Sequence, residues 1–64
     1  MKTLGTVTTS MDTYTLYRHG SNDYELYAHD GDWSVRGSKQ DIQAELTELE
    51  SELSLERFNM TPDD

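Results

Sequence analysis

Asp30-Gly31 joins two short stretches, residues 24–29 and 32–36, in which apolar and polar side chains alternate. A two-residue turn of this composition favours a type I′ hairpin, whose central residues both need positive φ. Closing it with His29 opposite Asp32 leaves one register. Ala28 then faces Trp33, Leu26 faces Val35 and Tyr24 faces Gly37, so every apolar residue of both strands falls on one side of the sheet. Glu25 lands opposite Arg36 on the other side, a cross-strand pair of opposite charge. A chain with this hairpin needs a second layer to cover its apolar side.

The preceding turn, Gly20-Ser21-Asn22-Asp23, extends the sheet backwards. A two-residue Gly20-Ser21 loop suits a type II′ turn but sets Leu16 against Glu25. A three-residue loop places Leu16 beside Leu26 or Ala28, and burying the leucine outweighs the favoured turn type. Residues 13–19 therefore form a strand paired with 24–29. Residues 2–9, rich in Thr and Val, predict a first strand. Leu4 and Val7 share a face there only if Gly5 marks a bulge.

The covering layer is predicted from Ser38 to Leu55. Ser38 is an N-cap, and Asp41 at the third helical position completes a variant of the capping box. Ile42, Leu46, Leu49 and Leu53 recur at 4-3-4 spacing, a narrow apolar seam. The same spacing describes a coiled coil, but Glu45 would then oppose Glu50 across a parallel dimer. Packing on the chain's own sheet is the better use of the leucines. Phe58 and Met60 can fold back as a lid. The expectation is an α+β domain, an antiparallel β-meander of three to four strands packed on one C-terminal α-helix. It covers residues 1–60, with 61–64 a flexible tail.

Sixty-four residues carry thirteen Asp and Glu against five Lys and Arg, a net charge of −8. Such a balance disfavours direct binding to nucleic acid or to an anionic membrane, both of which need a positive footprint. It favours partners with basic surfaces. No cysteine is present, so there is no disulfide or thiolate metal site. The first residues lack the apolar run of a signal peptide or a membrane span, which predicts a cytoplasmic protein.

The acids are patterned. Asp41, Glu45, Glu48, Glu52 and Glu56 follow 4-3-4-4 spacing with no Lys or Arg between them. On one continuous helix they would line a flank for roughly 22 Å. Each like-charged pair at this spacing destabilises a helix by about 0.2–0.5 kcal/mol, a recurrent cost that function can offset. Such a flank can occupy a Lys- and Arg-lined groove by standing in for phosphates. The plainer reading is a solvated helix face in a protein acidic for solubility or for a saline habitat.

A second candidate is the side of the sheet turned away from the helix, which carries Tyr17, Tyr27, His19, His29, Glu25 and Arg36. Tyrosine supplies large rigid contact area with a polar tip, so Tyr17 and Tyr27 can anchor a target or a second copy of the chain. As β-formers at a wet boundary they also fit an open sheet face with no partner. Chemistry is poorly supported. His29, Asp30 and Asp32 lie at a hairpin tip without a pocket, the serines lack a base, and no phosphate loop is present. No enzyme activity, cofactor or metal is expected.

In type, the chain resembles small acidic phage-encoded inhibitors, such as anti-restriction and anti-CRISPR proteins or inhibitors of DNA-repair enzymes. The resemblance rests on size, charge and layout across the whole chain, and no residue motif carries it. It implies stoichiometric inhibition of a nucleic-acid-binding protein or complex in the host cytoplasm, by nucleic-acid mimicry. The alternative is a non-enzymatic structural or adaptor module, as a homodimer through the open sheet face.

Overall fold

The computed structural model describes residues 1–51 and 53–58. Four strands, β1 (Lys2–Thr8), β2 (Thr13–Gly20), β3 (Asp23–Ala28) and β4 (Trp33–Gly37), form one antiparallel sheet in the order β1-β2-β3-β4. Helix α1 (Lys39–Leu49) follows, then a 3₁₀ turn at Leu55–Phe58. This is the expected meander, with all four strands present. Glu52, Met60 and the tail at 61–64 lie outside the described residues.

The β3–β4 register is the one the apolar pattern requires: Ala28 opposes Trp33, Leu26 opposes Val35, Tyr24 opposes Gly37 and Glu25 opposes Arg36. The turn itself differs from type I′. Gly31 does not have positive φ, and Asp32, at φ 53°, takes the left-handed conformation instead. The reason lies in Asp12, whose carboxylate accepts the Asp30 N–H at 2.9 Å and the Gly31 N–H at 3.2 Å. Four residues therefore connect the strands, with both amides turned inward. Gly31 serves a close approach: a Cβ there would lie 2.7 Å from the Trp33 ring.

Leu16 opposes Leu26, as burial of the leucine predicts, and a bulge at His19 supplies the shift. The connection is the two residues Ser21-Asn22, with Asn22 at φ 53°, and not the expected three-residue loop, because the bulge provides the register shift. In β1 the register shifts between Thr3 and Gly5, so Leu4 is the extra residue and Val7 comes to oppose Tyr14 in the core. A bulge of the kind needed to bring Leu4 and Val7 to one face is thus present, with Leu4 rather than Gly5 as the extra residue. A Cβ on Gly5 would meet the Phe58 backbone at 3.1 Å, which shows how closely the C-terminal turn packs on β1.

The core joins Val7, Tyr14, Leu16, Tyr24, Leu26 and Ala28 of the sheet to Ile42 and Leu46 of α1 and to Leu53 and Phe58 beyond it. Helix α1 begins as predicted. The Ser38 side chain accepts the Asp41 N–H at 3.2 Å, and Asp41 Oδ2 accepts the Ser38 N–H at 3.0 Å. Its end is the main correction. The helix stops at Leu49, and Glu50 is extended at φ −156°, ψ 146°. Continuation to Leu55 would add glutamates to a C-terminus that has no basic residue in its last turn, against the helix dipole. Leaving the helix also lets Leu53 and Phe58 reach the sheet, where Phe58 is fully buried. Leu53 therefore joins the core from outside the helix, and the seam within α1 is Ile42 and Leu46 with Leu49 half-buried.

Candidate protein-binding surface

The short helix divides the expected acid ladder. Asp41, Glu45 and Glu48 lie on one flank of α1 over about 10 Å of axis, from the 1.5 Å rise per residue. Asp41 is exposed although it serves the N-terminal cap, Glu45 is half-buried and Glu48 is exposed. Glu52 falls outside the described residues. Glu56 is exposed on the separate 3₁₀ turn, so five rungs on a single helix are not formed.

Glu50 has a different role from its neighbours. Its Oε2 accepts the Thr9 hydroxyl at 2.7 Å and the Tyr14 hydroxyl at 3.2 Å, which ties the end of α1 to the β1–β2 connection. Burial and the adjacent Glu50 carboxylate together push the Tyr14 phenol above its ordinary value.

This tie fixes the polarity of the molecule. Strand β1 begins beside Arg18, and α1 begins where Lys39 N–H donates to Asn22 Oδ1 at 2.9 Å. Lys2, Arg18, Arg36 and Lys39, four of the five Lys and Arg, therefore sit toward the end formed by the β2–β3 connection. The opposite rim carries the β1–β2 and β3–β4 connections and the C-terminus of α1. Asp12, Asp30, Asp32, Glu48 and Glu50 gather toward it, away from Lys2, Arg18, Arg36 and Lys39. The helix C-terminus adds its own negative end there. Asp12 and Glu50 are consumed internally, which leaves Asp30, Asp32 and Glu48 as the exposed charge of the rim.

The other side of the sheet is polar and internally bonded. The bidentate pair of Arg36 with Asp23 spans 2.8 and 3.0 Å, and His19 meets Glu25 at 2.7 Å. The Thr15 hydroxyl lies 2.7 Å from His29 Nε2, and the His29 ring stands edge-on to Tyr27 at 4.8 Å. Tyr27 donates to Asp32 at 3.2 Å, and that carboxylate raises its phenol pKa. Tyr17 and Tyr27 are both half-buried on this face, on the two central strands, as the register predicts. His19 and His29 engage different partners and form no joint site.

Asp12 and Glu50 are functional to the fold yet easily missed in the sequence. Asp12 reads as a connector because its backbone donors lie eighteen and nineteen residues away. Glu50 reads as one more solvated acid until topology brings β1–β2 beside it. The Asp12 carboxyl is held below its ordinary range, chiefly by the Asp30 N–H. Arg36 lowers Asp23 and His19 lowers Glu25 in the same sense. A carboxyl whose pKa falls on folding stabilises the fold fully above the unfolded value of about 4, and that contribution is lost as pH falls through the lower folded value. Repulsion among the remaining acids acts in the opposite sense, so a variant comparison isolates Asp12. Asp12→Asn is expected to melt several degrees lower at neutral pH and to show a shallower loss of stability in the acid range. Thermal circular-dichroism melts from about pH 7 to pH 2 check this; identical slopes for the two proteins would remove Asp12 from the account.

Among the described residues no helix is long and apolar enough to cross a membrane. No protein-family model matches the chain, and comparisons with curated proteins and with solved structures return no significant match.

Proposed function

We propose that the protein is a stoichiometric inhibitor that binds a basic surface of a nucleic-acid-binding protein or complex. Its contact surface is the α1 flank, Asp41, Glu45 and Glu48, continued at the rim by Asp30 and Asp32; Glu52 and Glu56 extend the acidic stretch in sequence. The observation that supports this reading is a partial segregation of charge: four of the five Lys and Arg sit toward the β2–β3 end, the opposite rim carries the exposed Asp30, Asp32 and Glu48, and Glu45 and Asp41 run back from it along α1. A mixed surface would suffice for solubility, whereas a one-signed end focuses the field and steers a basic partner. Carboxylates spaced about 5–6 Å apart on the helix are sparser than duplex phosphates. The mimicry is therefore one of sign and position rather than of phosphate density. The setting is the host cytoplasm, and the type is that of phage anti-restriction, anti-CRISPR or repair-inhibitor proteins.

The test is capture from a bacterial lysate on immobilised protein at low salt, with elution by salt and, separately, by duplex DNA. The expected eluates are the same nucleic-acid-binding proteins in both cases, released as screening rises. Partners that resist both high salt and competing DNA would overturn the reading.

A further inference from the structure

We propose that Asp30-Gly31 is a self-modification site, an aspartate that isomerises to isoaspartate when the Asp12 carboxylate releases the turn. It stands apart from the inhibitor reading, which needs no covalent change. Three observations carry it.

The first lies in the dipeptide. Isomerisation begins when a backbone nitrogen attacks the side-chain carbon of the aspartate before it, and a Cβ on the attacking residue obstructs that approach. Asp30 is followed by glycine, whereas Thr, Tyr, Trp, Ile and Asp follow Asp12, Asp23, Asp32, Asp41 and Asp63. Gly31 therefore attacks without obstruction. Asp30 and Gly31 are both exposed, so water and hydroxide reach the site.

The step balances with water alone. The Gly31 nitrogen attacks Cγ of the protonated Asp30 carboxyl. A C–N bond forms, a C–O bond breaks, and the amide proton leaves with the hydroxyl as water. The cyclic imide then takes up water. Opening between the nitrogen and the main-chain carbonyl carbon leaves Gly31 joined through Cγ, and that carbonyl becomes a carboxylate. Mass and net charge return to their starting values, but the main chain has gained one methylene.

The second observation is what holds the nitrogen. Asp12 Oδ2 accepts the Gly31 N–H at 3.2 Å, and Oδ1 accepts the Asp30 N–H at 2.9 Å. Attack needs the loss of the proton that Asp12 engages, and the adjacent carboxylate opposes the amide anion that results. Asp12 is too weak a base to take the proton itself, because the Asp30 N–H holds its carboxyl below the ordinary range.

The third is the rigidity of the clamp. The Thr13 N–H donates to Asp12 Oδ1 at 2.6 Å, which anchors the carboxylate on β2. Two consecutive N–H groups converging on one anion fix the orientation of both peptide units. On its other side Gly31 meets the Trp33 ring, which would lie 2.7 Å from a Cβ there. Turning the Gly31 nitrogen toward its own aspartate breaks these contacts, so the reaction is coupled to local opening of the turn.

Incubation of the full chain at neutral pH tests this, with isoaspartate read by methyl transfer from S-adenosylmethionine by an isoaspartyl methyltransferase. Trypsin cleavage after Arg18 and Arg36 locates it, as a peptide of unchanged mass and altered retention. The folded chain should react roughly tenfold more slowly, or less, than the chain in concentrated urea. Asp12→Asn should accelerate the folded chain by about tenfold, the worth of one charge-assisted hydrogen bond. Ser38→Ala, brought by urea to the same unfolded fraction, loosens the α1 cap and spares the clamp; it should stay near the wild-type rate. Asp30→Glu should abolish the signal, because the larger ring closes far more slowly. Should Asp12→Asn fail to fold, hydrogen exchange of the wild-type Gly31 amide supplies a second readout, and it should rise in parallel with isomerisation across low urea. Equal rates in the folded and unfolded chain overturn the proposal. So does a Ser38→Ala chain as fast as Asp12→Asn, a signal that survives Asp30→Glu, or isomerisation that does not follow Gly31 exchange.

Discussion

Phe58→Ala is expected to leave the chain largely unfolded at room temperature. Phe58 is fully buried although it lies beyond the last regular helix, and its backbone packs against β1 at Gly5. Truncating a buried phenylalanine removes about 3–5 kcal/mol, from lost transfer energy and the cavity left behind. A domain of this length holds only about 3–10 kcal/mol in total, by the usual 0.05–0.15 kcal/mol per residue. The substitution therefore consumes a large part of the stability, or all of it. Urea titration followed by circular dichroism gives the number. A loss below about 1 kcal/mol would mean that the C-terminal turn is an appendage, and that the sheet and α1 close the core without it.

In the sequence Phe58 reads as part of a lid, whereas the fold makes it a fully buried core residue. The sheet was legible because period-two alternation leaves few registers: one slip would have turned Leu26 and Val35 to solvent. The start of α1 was legible because Ser38 and Asp41 carry the cap in their own side chains. Its end was not, since neither glycine nor proline stands between Leu49 and Leu55. What ends the helix is remote: the Thr9 and Tyr14 hydroxyls that hold Glu50, and the space over β1 that Phe58 fills. The Asp30-Gly31 turn followed the same logic. Local preference favoured type I′, and the distant Asp12 carboxylate selected another conformation that preserves the pairing.

The candidate surface was legible in part for the same reason. The spacing of Asp41, Glu45 and Glu48 is a local helical property and is realised on α1. The addition of Asp30 and Asp32, and the placing of Lys2, Arg18 and Arg36 toward the other end, depend on strand order and are invisible along the chain.

Glu45→Gln/Glu48→Gln is expected to separate binding from stability. Two like-charged pairs disappear, Asp41 with Glu45 and Glu45 with Glu48, and one negative charge leaves the last turn of α1. The helix should gain about 0.5–1 kcal/mol in urea titration from the sum of these effects. Under the proposed function, affinity for the captured basic partner should fall roughly ten- to hundredfold, mainly at low salt where the charges act. Gain of stability with loss of binding is the signature of charge retained for a partner. Equal affinity in both proteins would assign these glutamates to solubility alone.

The central claim is that a basic partner lands on the acidic flank and rim, and amide chemical-shift mapping tests it most directly. The ¹⁵N-labelled chain would be titrated with the salt-eluted partner. The largest changes should fall on residues 41–48 and 30–32, with little effect at Tyr17 and across the centre of the open sheet face. Changes centred on Tyr17 and neighbouring strand residues, with α1 undisturbed, would contradict the claim.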